Sequence, residues 1–270
     1  EILRCLVGSE MCIRDRHCTC KIFFGKVCRG MINHLKERLR IEFEKQDRSG
    51  IYGYTQRNLA YNSNKIEGST LTEKQTANLF ETGTFMGEDV IFRAKDVEEM
   101  TGHFTMFNYM LQTFQEPLTD ALIKKYHYKL KAGVFEDLAN GYPVGEYKNR
   151  KNIVSDIETV LPKDVPDKMN ELLQEYEGSS KNLEEIMRYH AVFEKIHPFQ
   201  DGNGRVGRML IFKECLRNDI IPLIIENDRK AEYYYCLNEA QHKGEYEKLY
   251  QFANCLLYTS PSPRDISGSR

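Results

Sequence analysis

No stretch of the 270 residues approaches the roughly 18 consecutive apolar residues that a bilayer-spanning helix needs. The chain also lacks an excess of either charge, with 38 Lys and Arg against 40 Asp and Glu and a formal net charge of −2. The first lack excludes a membrane-spanning helix and the second a dominant nucleic-acid or anionic-membrane footprint, so neither nucleic acid nor membrane is expected as a partner. Glycine (18) and proline (8) are too few for a collagen-like or low-complexity chain. There is no internal repeat and no linker rich in Pro, Gly or Ser. What is present, 41% hydrophobic and 29% charged residues, suffices for one sizeable core and reads as a soluble, cytoplasmic protein.

The two ends differ from the rest. Cys255 to Asp265 (CLLYTSPSPRD) and Leu6 to Asp15 (LVGSEMCIRD) can be encoded by opposite strands of one DNA segment. Residues 1–16 and 255–270 therefore read as adaptor-derived and are set apart from the fold. Cys12 and Cys255 leave with them and Cys5 is set aside. Cys18, Cys20, Cys28, Cys215 and Cys236 remain, with no CxxC pair and no His at finger spacing. That excludes a zinc finger and a disulfide framework, and reduced thiols are expected.

Most of the remainder has helical period. Apolar residues recur at intervals of three or four through Val97, Met100, Phe104, Phe107 and Leu111, through Ile186, Tyr189, Phe193 and Ile196, and through Met209, Phe212 and Leu216. Helices are predicted over 35–43, 54–67, 71–81, 90–114, 119–135, 163–176, 183–196, 205–216, 230–241 and 246–253, with Ser69 or Thr70 capping the third. Residues 141–156 (GYPVGEYKNRKNIVSD) alternate polar and apolar behind turn formers, which predicts a short β-hairpin. The expected architecture is an all-α bundle with one small hairpin. Residues 17–53 form a partly helical N-terminal extension, and 54–254 form the domain.

The chemistry is concentrated where two strong helices meet. His197-Pro-Phe-Gln-Asp201-Gly202-Asn203-Gly204-Arg205-Val-Gly-Arg208 brings a base, an acid, small residues and two guanidinium groups into twelve positions. Gly202 and Gly204 permit backbone N–H groups to form an anion nest, and the helix that follows aims its positive end at the same point. Arg205 and Arg208 share a helix face and can hold two phosphates of one polyphosphate. Asp201 suits Mg²⁺, and His197 can accept a hydroxyl proton. Phe199 is expected to be core. Gly202, Gly204 and Gly207 with Glu226 mimic a dinucleotide fingerprint, but that motif must follow a strand and the segment before it is helical. Gly207-Arg208-Met209 is not a Walker A ending, and His190 stands about 10.5 Å along the helix from His197, too far to share zinc.

This segment resembles the signature of the Fic family, H-x-F-x-D/E-G-N-G-R-x-x-R, at every defined position, and the similarity runs over roughly Tyr54 to Ala253. The resemblance implies an ATP- and Mg²⁺-dependent transferase of AMP to a Ser, Thr or Tyr hydroxyl of a target protein, which could be the chain itself. It implies His197 as general base, Asp201 as metal ligand, Gly202, Asn203 and Gly204 as anion hole, and Arg205 and Arg208 on the outer phosphates. It also implies the hairpin as a flap over His197, and Tyr233, Tyr234 and Gln241 near the adenine. Upstream, Ser63-Asn-Lys-Ile-Glu67-Gly68 resembles the family's inhibitory motif, S/T-x-x-x-E-G/N. That implies autoinhibition from a helix around 54–68, with Glu67 holding Arg208 away from the γ-phosphate. Two alternatives stay open: removal of AMP from a modified protein, with Glu67 acting on water, and a non-enzymatic nucleotide-binding module. A homo-oligomer is compatible with the sequence.

Overall fold

The computed structural model describes residues 19–84, 92–154 and 157–259. Helices α1 (Thr19–Glu44), α2 (Ile51–Ile66), α3 (Glu73–Thr82), α4 (Ala94–Thr113) and α5 (Asp120–Lys131) are followed by a short α6 (Phe135–Ala139). Then come α7 (Val165–Glu177), α8 (Leu183–Ile196), α9 (Asn203–Arg217), α10 (Lys230–Lys243) and α11 (Glu247–Thr259). The apolar periodicity read in the sequence explains why they form. Met100, Phe107 and Leu111 of α4 and Ile186, Phe193 and Ile196 of α8 all lie in one continuous core. Helix α9 is buried on every side, with Val206, Met209, Leu210, Phe212 and Cys215 inside it, so it is the central element around which α8, α5, α4 and α2 pack. Even Lys213 is enclosed, ion-paired with Glu214 at 2.6 Å and bonded to the Glu116 carbonyl at 2.5 Å. Among the described residues no helix is long and apolar enough to cross a membrane.

The β-hairpin expected over 141–156 is not part of this all-helical architecture. Residues 141–152 are turns and irregular backbone, and the extended pairing near them is reduced to Ile153↔Glu158 and Val154↔Ile157. The polar–apolar alternation was misleading because it takes every polar residue to face solvent, whereas Lys148, in the middle of the segment, is 3% exposed. Gly141 and Gly145 also take positive φ, 64° and 80°, which breaks a strand path.

Other boundaries move as well. The third helix is capped by Thr72, whose hydroxyl accepts from the Gln75 N–H while the Gln75 side chain accepts from the Thr72 N–H, a capping box one turn later than Ser69 or Thr70. The helix predicted over 119–135 ends at Lys131 and Phe135 starts α6. The last helix runs past Ala253 to Thr259 and buries Leu256 to 2% exposure. Residues 1–18, 90–91, 155–156 and 260–270 of the sequence reading lie outside the described residues.

Candidate active site

The loop between α8 and α9 owes its shape to two left-handed residues. His197 ends α8 at φ 53°, ψ 62°, and Gly202 precedes α9 at φ 84°, ψ 5°. A non-glycine residue in that region is uncommon and is sustained only by its surroundings. Phe199 is fully buried and stacks on His127 with ring centroids 3.9 Å apart and planes 3° from parallel. The Asn203 side chain closes the turn on itself, accepting from the Phe199 N–H at 2.8 Å and donating to the Phe199 carbonyl at 2.9 Å. Its amide is thereby used as a brace, which leaves its main-chain N–H, with that of Gly204, at the N-terminus of α9 for an anion.

His127 of α5 fixes the loop from below. Its Nδ1 accepts from the Gly145 N–H at 2.9 Å, so the ring proton is on Nε2 and is donated to the Asp201 carbonyl at 3.0 Å. Burial, first of all, holds this imidazole down to about 3, so it stays neutral.

The Asp201 carboxylate is surrounded by cations. Lys131 donates to Oδ2 at 2.7 Å, Arg205 reaches Oδ1 at 3.3 Å, and Lys95 lies at 3.7 Å. Desolvation opposes ionisation, but Arg205 and Lys131 outweigh it and hold Asp201 well below the usual carboxylate range. Lys131, 1% exposed, also binds Glu99 at 2.6 Å and Asp137 at 2.7 Å, and Glu99 in turn holds Arg205 at 2.5 Å. Asp201, Glu99, Asp137, Lys131 and Arg205 thus form one buried network across α4, α5, α6 and α9. No group of three or more His, Cys, Asp or Glu able to hold a metal occurs among the described residues. Asp201 alone, about a third exposed at its side chain, faces outward, which fits an ion whose remaining ligands are water and phosphate oxygens, the usual habit of Mg²⁺.

Arg208 projects from α9 to α2. Its Nε donates to Ser63 Oγ at 2.9 Å, and its Nη2 donates to the Ser63 carbonyl at 2.9 Å and to Glu67 Oε1 at 2.6 Å. The Glu67 carboxylate lies over the start of α9, where a Cβ added to Gly204 would stand 2.3 Å from its Oε1. Burial opposes its charge, yet Arg208 and Arg205 prevail and hold its pKa below the ordinary value. Glu67 is therefore an anion parked at the anion-binding end of α9. Behind Arg208, Glu194 is pushed up to about 8 by burial despite that guanidinium.

His197 is neutral at physiological pH, since burial and then the charge of Lys148 lower its pKa to about 4. Its Nδ1 is buried, so Nε2 is the nitrogen left to meet a substrate. Of the remaining expected residues, Tyr234 presents a partly open ring, 5.2 Å from that of Tyr233. The Tyr233 hydroxyl lies 2.7 Å from Nε2 of the buried His190. Gln241 is buried, and its amide donates to the Ala191 carbonyl of α8 at 3.4 Å.

The loop, α9 and α2 thus bring His197, Asp201, Gly202, Asn203, Gly204, Arg205, Arg208, Ser63 and Glu67 to one place. Sequence reasoning missed Lys131, Glu99, Asp137, His127 and Lys148. The single available signal was that a loop with one acid and two arginines needs counter-charges, and nothing in the sequence says where those come from.

The fold is a helical bundle whose central helix begins beside a histidine-bearing loop and carries two arginines in its first turns. Residues 117–214 match the Fic/DOC family model. It is 29% identical over 206 residues to protein adenylyltransferase Fic of Nematostella vectensis, covering 74% of this chain and 46% of that protein. It is 27% identical over 136 residues to a probable protein adenylyltransferase of Aquifex aeolicus, covering 48% and 39%. The chain spans less than half the length of these curated relatives. Among solved structures, a Fic domain containing signaling protein from Bacteroides thetaiotaomicron superposes with a TM-score of 0.72 at 22% identity over 90% of this chain and 98% of that one. Fic-1 from C. elegans gives a TM-score of 0.68 at 19% identity over 92% and 74%.

Proposed function

We propose that the chain transfers AMP from ATP to a Ser, Thr or Tyr hydroxyl of a target protein, and that α2 restrains the reaction through Glu67. The observation that carries this is the convergence on one loop of a neutral imidazole, the N-terminus of α9 and the Arg208 guanidinium. The names of the relatives, protein adenylyltransferases, agree with it.

In this reading the acceptor hydroxyl oxygen attacks the α-phosphorus. The bond from that phosphorus to the bridging oxygen breaks, and pyrophosphate leaves. His197 Nε2 takes the hydroxyl proton; an imidazole with its pKa near 4 is unprotonated at neutral pH and so ready to do so. The N–H groups at the start of α9 stabilise the negative oxygens at the phosphorus. Arg208, once freed from Glu67, takes an outer phosphate, and Arg205 reaches one by giving up its 3.3 Å contact with Asp201 while keeping Glu99. Mg²⁺ bound at Asp201 would supply charge neutralisation between phosphates. Tyr234 and Gln241 are assigned to the adenine side.

A second reading, removal of AMP, is favoured by one observation: the ionised Glu67 carboxylate sits directly over Gly204, where a water could be held for attack at the same phosphorus. Intact-mass analysis after incubation with ATP and Mg²⁺ tests the first reading, and loss of AMP from the labelled protein once ATP is withdrawn tests the second. An added AMP on wild type or on a Glu67 variant, lost in His197→Ala by 10²-fold or more as is common for a general base, supports transfer. No adduct with any variant, or equal labelling by His197→Ala, refutes it.

A further inference from the structure

Lys148 lies outside the signature and is enclosed by the protein, at 3% exposure. Its three ammonium hydrogens have three neutral acceptors: Asn152 Oδ1 at 2.8 Å, Thr159 Oγ1 at 3.0 Å and the Ile196 carbonyl at 3.4 Å. Its main-chain N–H donates to the Pro198 carbonyl at 2.9 Å. One residue therefore holds the carbonyls on both sides of His197. Asn152 extends the attachment by donating to the Phe199 carbonyl at 3.1 Å, and Thr159 ties Asn152 in place by donating to its carbonyl at 2.8 Å. Left-handed backbone at a histidine needs this kind of over-determination, because any residue with a Cβ bears a steric cost there.

Among the described residues no carboxylate pairs with Lys148, although a buried ammonium ordinarily has one. An uncompensated positive charge beside the imidazole is costly to the fold. Its effect is to disfavour a second positive charge on the ring. A neutral polar side chain could make the same hydrogen bonds without that cost.

We propose that Lys148 is a positioning residue for His197, clamping the backbone on either side of the imidazole and keeping the ring in its proton-accepting form. The proposal rests on the AMP-transfer reading for its consequence in catalysis, but not for the clamp itself. The charged groups facing His197 are Lys148 from the 143–152 segment, Glu67 from the end of α2 and Asp201 from the signature loop. The two carboxylates favour imidazolium and Lys148 opposes it. Burial of the ring acts in the same direction as Lys148.

The test compares wild type with Lys148→Met, Lys148→Gln and Lys148→Arg. The first readout is the imidazole resonance of His197, assigned by its loss in His197→Ala and followed against pH without nucleotide. Met and Gln should raise its midpoint by about one pH unit or more, and Arg should leave it near the wild-type value. The second readout is ATP-dependent labelling in a Glu67→Ala background, where Met, which loses the donors that clamp the loop, should lower kcat about tenfold or more with the KM for ATP within about twofold, and Arg should recover most of the loss. Gln retains donors for Asn152 and Thr159 and so decides the matter if Met does not fold. An unmoved His197 midpoint in Gln, or a loss borne by KM, overturns the proposal. A moved midpoint in a protein that labels nothing leaves the clamp standing and refutes the AMP-transfer reading instead.

Discussion

Glu67→Ala is the perturbation from which most follows. Glu67 follows α2 as its C-cap, with φ −81° and ψ 6°, a backbone that alanine adopts without strain, so the substitution removes the carboxylate and little else. It deletes one of three contacts that hold the Arg208 guanidinium, leaving the two to Ser63. A hydrogen bond between charged groups is worth about 1.5–3 kcal/mol, and the Glu67 side chain is 31% exposed. Partial exposure screens it, so about 1–2 kcal/mol of restraint is released, which is roughly 5- to 30-fold. Initial-rate labelling with radiolabelled ATP should rise by that factor, and calorimetric titration should show ATP binding tightened by a similar one. In Arg208→Ala the same substitution should do nothing, because the group it frees is gone.

A separate arm leaves Glu67 and Arg208 intact. Asp96 accepts from the Thr70 N–H at 2.7 Å and the Thr70 hydroxyl at 2.5 Å, while Arg93 donates to Asp96 and to the Gly68 carbonyl at 2.6 Å. This latch fixes the chain just beyond Glu67, and Asp96→Asn should raise labelling in the same direction by a smaller factor. If Glu67→Ala changes neither rate nor ATP affinity while His197→Ala abolishes labelling, the restraint is refuted. Equal activation in the Arg208→Ala background would refute its route through Arg208.

Two further outcomes are expected. His103, His127 and His190 are lowered to about 3 and His197 to about 4, chiefly by burial, so the unfolded chain binds their protons first as pH falls below about 6.5. The stability they contribute is therefore complete above that pH and at pH 5 is reduced by about 2 kcal/mol per histidine; Glu194, raised to about 8, offsets part of this, leaving a loss on the order of 5 kcal/mol. Thermal melts should show a steep fall in Tm from pH 7 to pH 5, and a flat Tm across that range would contradict burial of these rings. In the same assay a chain ending at Thr259 should melt like the full chain, whereas one ending at Asn254 loses the buried Leu256 and about 2–5 kcal/mol; equal melts would show that the last turn of α11 contributes nothing.

The helices were legible because burial at intervals of three or four residues leaves a mark in the sequence, and Met100, Phe107, Phe193 and Phe212 are all core as that period requires. The same logic failed over 141–156, where alternation implies one wet face and one dry face. Lys148 is polar and buried, with its partners on Ile196, Asn152 and Thr159. Hydrophobic pattern cannot register a buried polar residue, because it equates polarity with exposure.

The signature shows the same limit at finer grain. Its residue types announce phosphate chemistry, yet they do not say which side chains are free to perform it. Asn203 spends its amide on Phe199, Arg205 is held by Glu99 of α4, Asp201 is held by Lys131 of α5, and Arg208 is held by α2. Those partners stand between 70 and 145 residues away in the chain, except for Phe199, which is four away and inside the motif. Availability is therefore a property of the packing rather than of the motif. Three of the four engagements are ion pairs, and it is these, not the letters of the signature, that set which side chains of the site are free.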